Sequence, residues 1–143
     1  MVENAPRLPH MQWRYLGLVF VGGALGTLLR EVVGLLVAPV SGFPLATASV
    51  NIVGAFILGM LLARLTASGA DAGRRRALRL FLATGVLGGF TTYSGLATDA
   101  TTLIVGGAAW MAVGYALVTV IVGAAAAWAG MLVGAPRRSR GRA

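Results

Sequence analysis

Cysteine is absent from this chain of 143 residues, which excludes disulfides, thiolate metal sites and cysteine nucleophiles. Histidine occurs once, as His10 in a polar N-terminal stretch, and one histidine cannot build a metal cluster. Acidic residues number four: Glu3, Glu31, Asp71 and Asp99. No two of them are spaced as an acid–base pair, and no serine–histidine couple is available in the apolar segments. An enzyme is therefore not expected. Lysine is also missing, so all twelve basic residues are arginine, and charged residues make up only 11% of the chain.

What is present is largely apolar. Hydrophobic residues account for 57% of the chain and the mean hydropathy is +0.82, which is the composition of a membrane protein. Four apolar runs occupy residues 16–40, 45–63, 80–97 and 108–133. Each is near the roughly 20 residues needed to cross a hydrocarbon layer of about 30 Å. The pattern predicts an all-α membrane protein, a single domain over 1–143 with four transmembrane helices and polar tails at 1–14 and 136–143. No A-x-A-like site follows a short apolar core, so a cleavable signal is not expected.

The arginines give an orientation. The N-terminal stretch holds two, the segment between the second and third runs five, and the C-terminal stretch four, while the two remaining connections hold none. With an even number of spans these eleven lie on one side, which predicts that both termini are cytoplasmic. Arginines placed in short runs between apolar segments follow membrane topology, so no nucleic-acid partner is expected. The Ala-, Gly- and Arg-rich composition without lysine fits a GC-rich bacterial genome, and hence a multi-pass protein of a bacterial cell membrane.

Inside the third run stands GVLGGFTTYS, residues 85–94. It has three glycines in five positions, each costing roughly 1 kcal/mol against alanine in a helix. Thr91, Thr92 and Ser94 follow, interleaved with Phe90 and Tyr93. One reading is a helix broken near mid-membrane, which is tolerated where it lines a cavity and marks an ion or substrate site. The other is close helix packing through small residues. Phe90 lies roughly 15 Å from Leu80 along a helix, near the middle of the layer.

Other polar residues also need an explanation. Arg30 in an apolar helix costs at least about 3 kcal/mol at the membrane centre, and less near an interface. It either gathers anions at a vestibule or forms a couple with Glu31. Asn51 offers two N–H donors, to a desolvated anion or to a neighbouring helix. Phe90 and Tyr93 share a face if their segment is helical, and the positive ring edges suit an anion path. Thr91, Thr92, Ser94, Tyr115 and Thr119 could continue a track of donors or bond between helices.

Taken in order, GGALGTLLR at 22–30, SVNIVGAF at 49–56 and GVLGGFTTYS at 85–94 resemble the Fluc (CrcB) family of small fluoride channels, over about residues 16–133. The resemblance implies an antiparallel dimer with two fluoride pores and a structural sodium ion held by backbone carbonyls, here those of Gly85 and Gly88. It implies a fluoride pathway through Asn51, Phe90, Thr91, Thr92, Tyr93, Ser94, Tyr115 and Thr119, with Arg30 at the vestibule. Tyr93 stands where the family usually has Phe, Gly95-Leu96-Ala97 replaces a usual Thr-Phe-Ser, and Asp99 and Gly123 replace a common glutamate and serine. The implied function is passive export of cytoplasmic fluoride. Alternatives are a non-conducting partner subunit in a heterodimeric channel, and a small multidrug-type proton-coupled exporter using Glu31. The arginine bias adds one expectation. Such a chain inserts one way only, so its antiparallel partner is a homologous subunit of opposite orientation.

Overall fold

The computed structural model describes residues 12–136, so most of both polar tails, and His10 with them, lie outside the described residues. The chain is all-helical, with helices α1 (Trp13–Leu36), α2 (Leu45–Ala67), α3 (Gly73–Leu78), α4 (Gly88–Phe90), α5 (Tyr93–Val105) and α6 (Ala109–Gly134). A π-helical segment, Arg79–Leu87, joins α3 to α4. Four stretches are long and apolar enough to cross a membrane: α1, α2, α6 and the composite Gly73–Val105. This is the architecture of a four-span membrane protein. The composite span starts earlier and ends later than the run at 80–97 suggested. Arg79 lies inside it because its guanidinium reaches Asp71 in the preceding loop, with Nη2···Oδ2 at 2.7 Å.

Packing divides the helices into two groups. α1 lies against the π segment and α4, whereas α2 lies along α6, and α5 joins α6. The first group meets through backbone. A Cβ at Gly22 would come within 3.0 Å of Gly85 Cα, and one at Gly26 would come within 2.8 Å of Phe90 N. A Cβ at Gly89 would collide with the Gly23 carbonyl. Glycines four apart on each helix thus let the backbones touch, which is how membrane helices gain dispersion contact without a hydrophobic drive. On the other side Gly59, Gly130 and Gly134 do the same between α2 and α6. A side chain at Gly26 would force α1 off the third span, because its neighbours there are main chain and cannot yield.

The connections are tight. Ser41 and Gly42 both have positive φ, closing a turn whose flanks, Val40 and Phe43, form an antiparallel bridge. This turn sets Phe43 edge-on to Tyr115, with ring centroids 5.3 Å apart, over a small core that includes Ala48 and Leu96. At the arginine-rich end Asp71 takes hydrogen bonds from Arg76 and Arg79. The Arg79 guanidinium holds the Asp71 carboxyl below the usual carboxylate range. The pair is exposed, so it orders the loop more than it stabilises the fold.

Candidate functional site

The helical path of the third span is interrupted at Thr91 (φ −77°, ψ 153°) and Thr92 (φ −147°, ψ 119°), two extended residues between α4 and α5. Before them the span packs on α1, and after them it packs on α6. Extended residues free main-chain groups, and both N–H groups and the Thr92 carbonyl have partners. Thr91 N–H and Oγ1–H both donate to the Leu87 carbonyl, at 3.0 and 2.9 Å. Thr92 N–H donates to Asn51 Oδ1 at 2.7 Å, and Asn51 Nδ2 donates to the Thr92 carbonyl at 3.0 Å. One side-chain amide on α2 therefore pairs with both polar groups of an extended residue, as a neighbouring strand would. Thr92 Oγ1 then caps α5 by accepting from Gly95 N–H at 3.0 Å, the usual role of a threonine at that position.

The glycines ahead of the interruption do different things. Gly85 is buried against α1, and its carbonyl accepts the Gly88 N–H. Gly89 is also packed on α1, and its carbonyl takes a hydrogen bond from Arg30 Nη1 at 3.3 Å. Gly88 faces outward, and a Cβ there would touch nothing. The Thr91 and Thr92 N–H groups go to Leu87 and Asn51, so neither closes a turn onto the Gly88 carbonyl. Glycine here therefore serves both close packing and an exposed helix end.

Two clefts converge on Thr92. One, of about 330 Å³, lies between α1, α2 and α5 and is lined by Arg30, Glu31, Thr47, Thr92, Ser94, Thr98 and Asp99 among others. The other, of about 270 Å³, is a groove on the far side lined by Asn51, Thr91, Thr92, Tyr93, Leu96, Thr119, Val120 and Gly123. Arg30 reaches the first cleft while also bonded to Glu31, with Nε···Oε1 at 3.4 Å and its side chain 27% exposed. The couple with Glu31 is thus present, and the same side chain borders the cleft.

Most of the expected hydroxyl donors are already engaged. Thr119 Oγ1–H donates to the Tyr115 carbonyl at 2.7 Å, and Tyr115 O–H donates to Asp99 Oδ2 at 3.0 Å. Tyr115 is 1% exposed. Thr92 and Ser94 share one hydrogen bond of 3.1 Å, which leaves one of the two hydroxyl protons available. The second amide proton of Asn51 is available as well. Phe90 and Tyr93 do not share a face, because two extended residues between them break the helical register. Phe90 packs toward Gly54 and an apolar groove with Leu29, Ile57 and Leu82, whereas Tyr93 is 84% exposed.

The structure therefore brings Asn51, Thr91, Thr92, Tyr93 and Thr119 to one groove, sets Ser94 with Arg30 in the other cleft, and leaves Phe90 apart. Lining residues that the sequence pattern does not single out as site residues include Thr47, Thr98 and Asp99. A signal for two of them exists, since Ser94 and Thr98 are four apart and share a face of α5 beside Asp99.

The family described as CrcB-like protein, Camphor Resistance (CrcB), matches residues 17–131. A protein of Leifsonia xyli named fluoride-specific ion channel FluC 2 is 48% identical over 126 residues, covering 88% of this chain and 87% of its own length. The fluoride-specific ion channel FluC 1 of Cutibacterium acnes is 46% identical, covering 78% of this chain and 79% of its own. A fluoride-specific ion channel FluC of Thermus thermophilus is 46% identical, covering 85% of this chain and 94% of its own. With four apolar spans, a gripped interruption in the third and relatives matched almost end to end, the chain belongs to the CrcB family.

Proposed function

We propose that this chain is a subunit of a fluoride-specific channel that lowers cytoplasmic fluoride by passive export across a bacterial cell membrane, with both termini cytoplasmic. The carrying observation is Thr92, which lines both clefts while Asn51 grips its main chain. In this reading the ion path runs from Arg30 in the first cleft, past Thr92, to Thr119 in the second. Along a span of about 50 Å, Thr91 lies roughly 27 Å from Gly73, so the interruption falls near mid-membrane.

Fluoride is small and strongly hydrated, so a selective path must replace water with convergent donors. Arg30 raises the local anion concentration at the outer mouth. The second amide proton of Asn51 and the unshared hydroxyl proton of Thr92 or Ser94 meet the ion at the narrow point. Tyr93 presents a ring edge, and Thr91, Tyr115 and Thr119 continue the wall. Phe90 lines the opposite groove and reaches an ion only in a pore completed by a second subunit. That requirement, together with the one-sided arginines, supports an antiparallel dimer embedded in lipid, with a homologous partner of opposite orientation. The exporter reading is not favoured, because Glu31 is ion-paired with Arg30 and the relatives are named as channels.

A structural sodium ion fits this helix end in part. The outward-facing Gly88 offers a carbonyl that Thr91 and Thr92 leave unbonded, and oxygen donors of this kind suit sodium at unwound helix ends. The Gly85 carbonyl is already turned to the Gly88 N–H, so it would share its second lone pair. When bound, the ion would supply a fixed positive charge tying two helix ends together. Because a Cβ at Gly88 meets nothing within the chain, Gly88→Val starts its side chain on an open face and reports on the dimer. It is expected to reduce both dimer recovery and sodium-dependent stability, measured by size exclusion and thermal melts with sodium exchanged for a larger cation. Normal dimers and normal flux in Gly88→Val would remove this assignment.

The function itself is tested by efflux from liposomes holding this chain with its partner. Fluoride should leave without a proton gradient, and chloride should stay behind. Comparable release of the two anions, or a requirement for a proton gradient, would refute the proposal. Efflux that survives disabling of the partner's own polar residues, and is lost on disabling this chain's, excludes the non-conducting reading.

A further inference from the structure

The arginine-rich end holds another cleft, separate from the ion track. It has a volume of about 380 Å³, between the first turns of α1 and α3, and is lined by Arg14, Tyr15, Gly73, Arg74 and Ala77. Arg76 and Arg79 share the single carboxylate of Asp71. Arg14 and Arg74 have no acidic partner among the described residues, although both border the same cleft. Two arginines from different helices border one hollow with no acidic residue among its lining, which suits an anion with several oxygens. Guanidinium matches a phosphate bidentately and is the more weakly hydrated of the two basic side chains.

What continues from the cleft identifies the source of that phosphate. Tyr15 contributes an amphipathic ring of the kind that sits at the headgroup level. Trp13, Leu16 and Phe20 are all exposed on α1. At spacings of three and four they share one face and form an apolar strip leading away from the arginines. A free phosphate has no use for such a strip, whereas acyl chains do. We propose that this cleft binds the headgroup of an anionic phospholipid of the cytoplasmic leaflet, with the phosphate between Arg14 and Arg74 and the tails along Trp13, Leu16 and Phe20. The bound lipid would anchor α1 to the start of the third span at the end opposite the vestibule.

The test uses the full-length channel purified from membranes, with phosphatidylglycerol and phosphatidylcholine as competing probes in native mass spectrometry. The native channel should retain phosphatidylglycerol in preference. Arg14→Gln with Arg74→Gln should lower that preference about thirtyfold, from about two surface arginines' worth of attraction. A control of equal charge, Arg64→Gln with Arg75→Gln, should change it less than threefold. If both pairs lose the preference equally, general surface charge explains the binding and the site is refuted. If inorganic phosphate displaces phosphatidylglycerol at equal concentration, the strip contributes nothing and the lipid assignment is refuted. Fluoride efflux is recorded in parallel, and its retention in the Arg14/Arg74 variant separates this site from the ion track.

Discussion

Asn51→Leu is expected to abolish fluoride efflux and to lower the thermal stability of the subunit. Leucine keeps the same four-atom side chain branched at Cγ, so its shape on α2 is similar although its methyls are bulkier. What is lost is the pair of hydrogen bonds that hold Thr92 from both sides, at 2.7 and 3.0 Å. Each stranded main-chain group costs about 1–3 kcal/mol, and water is scarce at this depth. A loss of about 3 kcal/mol corresponds to a hundredfold or more in rate if it falls on the conducting geometry. Asn51→Asp separates the two proposed duties of the residue. The carboxylate still accepts from Thr92 N–H, but it faces the Thr92 carbonyl without a proton and places negative charge in an anion path. It should assemble better than leucine and conduct no better. Efflux within threefold of the native rate in Asn51→Leu would show that Asn51 neither holds the interruption nor serves the ion, and the same result in Asn51→Asp would show that it does not serve the ion.

The layout of the chain was readable because each helix announces itself by length and apolarity, and because the arginines mark one side. Boundaries drifted where side chains reach across a border. Arg79 looked like loop but belongs to the third span, since its charge is met by Asp71 below. The stretch at 85–94 was harder. Its glycines allowed either close packing or an interrupted helix, and periodicity cannot choose between them. The two functions are divided by position: Gly85 and Gly89 face α1, Gly88 faces out, and the extended residues come afterward at Thr91 and Thr92. The spacing of Phe90 and Tyr93 gives a shared face only in a continuous helix, and two extended residues break that condition. Hydroxyl residues were legible as polar, yet their direction was not. Thr91 and Thr119 turn back onto carbonyls four residues earlier, a local bond invisible in spacing. Asp99 acquires its role only when α5 and α6 bring it to Tyr115.

Orientation carries the largest expected effect of all. An antiparallel dimer needs two subunits inserted in opposite senses. This chain has eleven arginines on one side of its four spans and none in the two opposite connections. Basic segments strongly favour the cytoplasmic side, and the membrane potential adds about 2.3 kcal/mol per charge for each 100 mV that a charge must oppose. Inverting the chain would carry all eleven across, so the inverted population should be undetectable rather than merely small. The chain has no cysteine, so Ala143→Cys gives a single label site at the C-terminus. In intact cells a membrane-impermeant maleimide should leave it unlabelled, and permeabilisation should expose it fully. Expressed alone, the chain should insert in this one sense and give no fluoride efflux. Efflux should appear when a homologue of reversed arginine bias is supplied, because only then can an antiparallel pair form. Equal labelling from both sides, with efflux from this chain alone, would return the chain to the homodimers that insert both ways. If instead labelling is one-sided and efflux still needs no partner, the antiparallel arrangement itself fails for this chain. The eleven arginines thus make a stronger demand on the assembly than any single residue in the track.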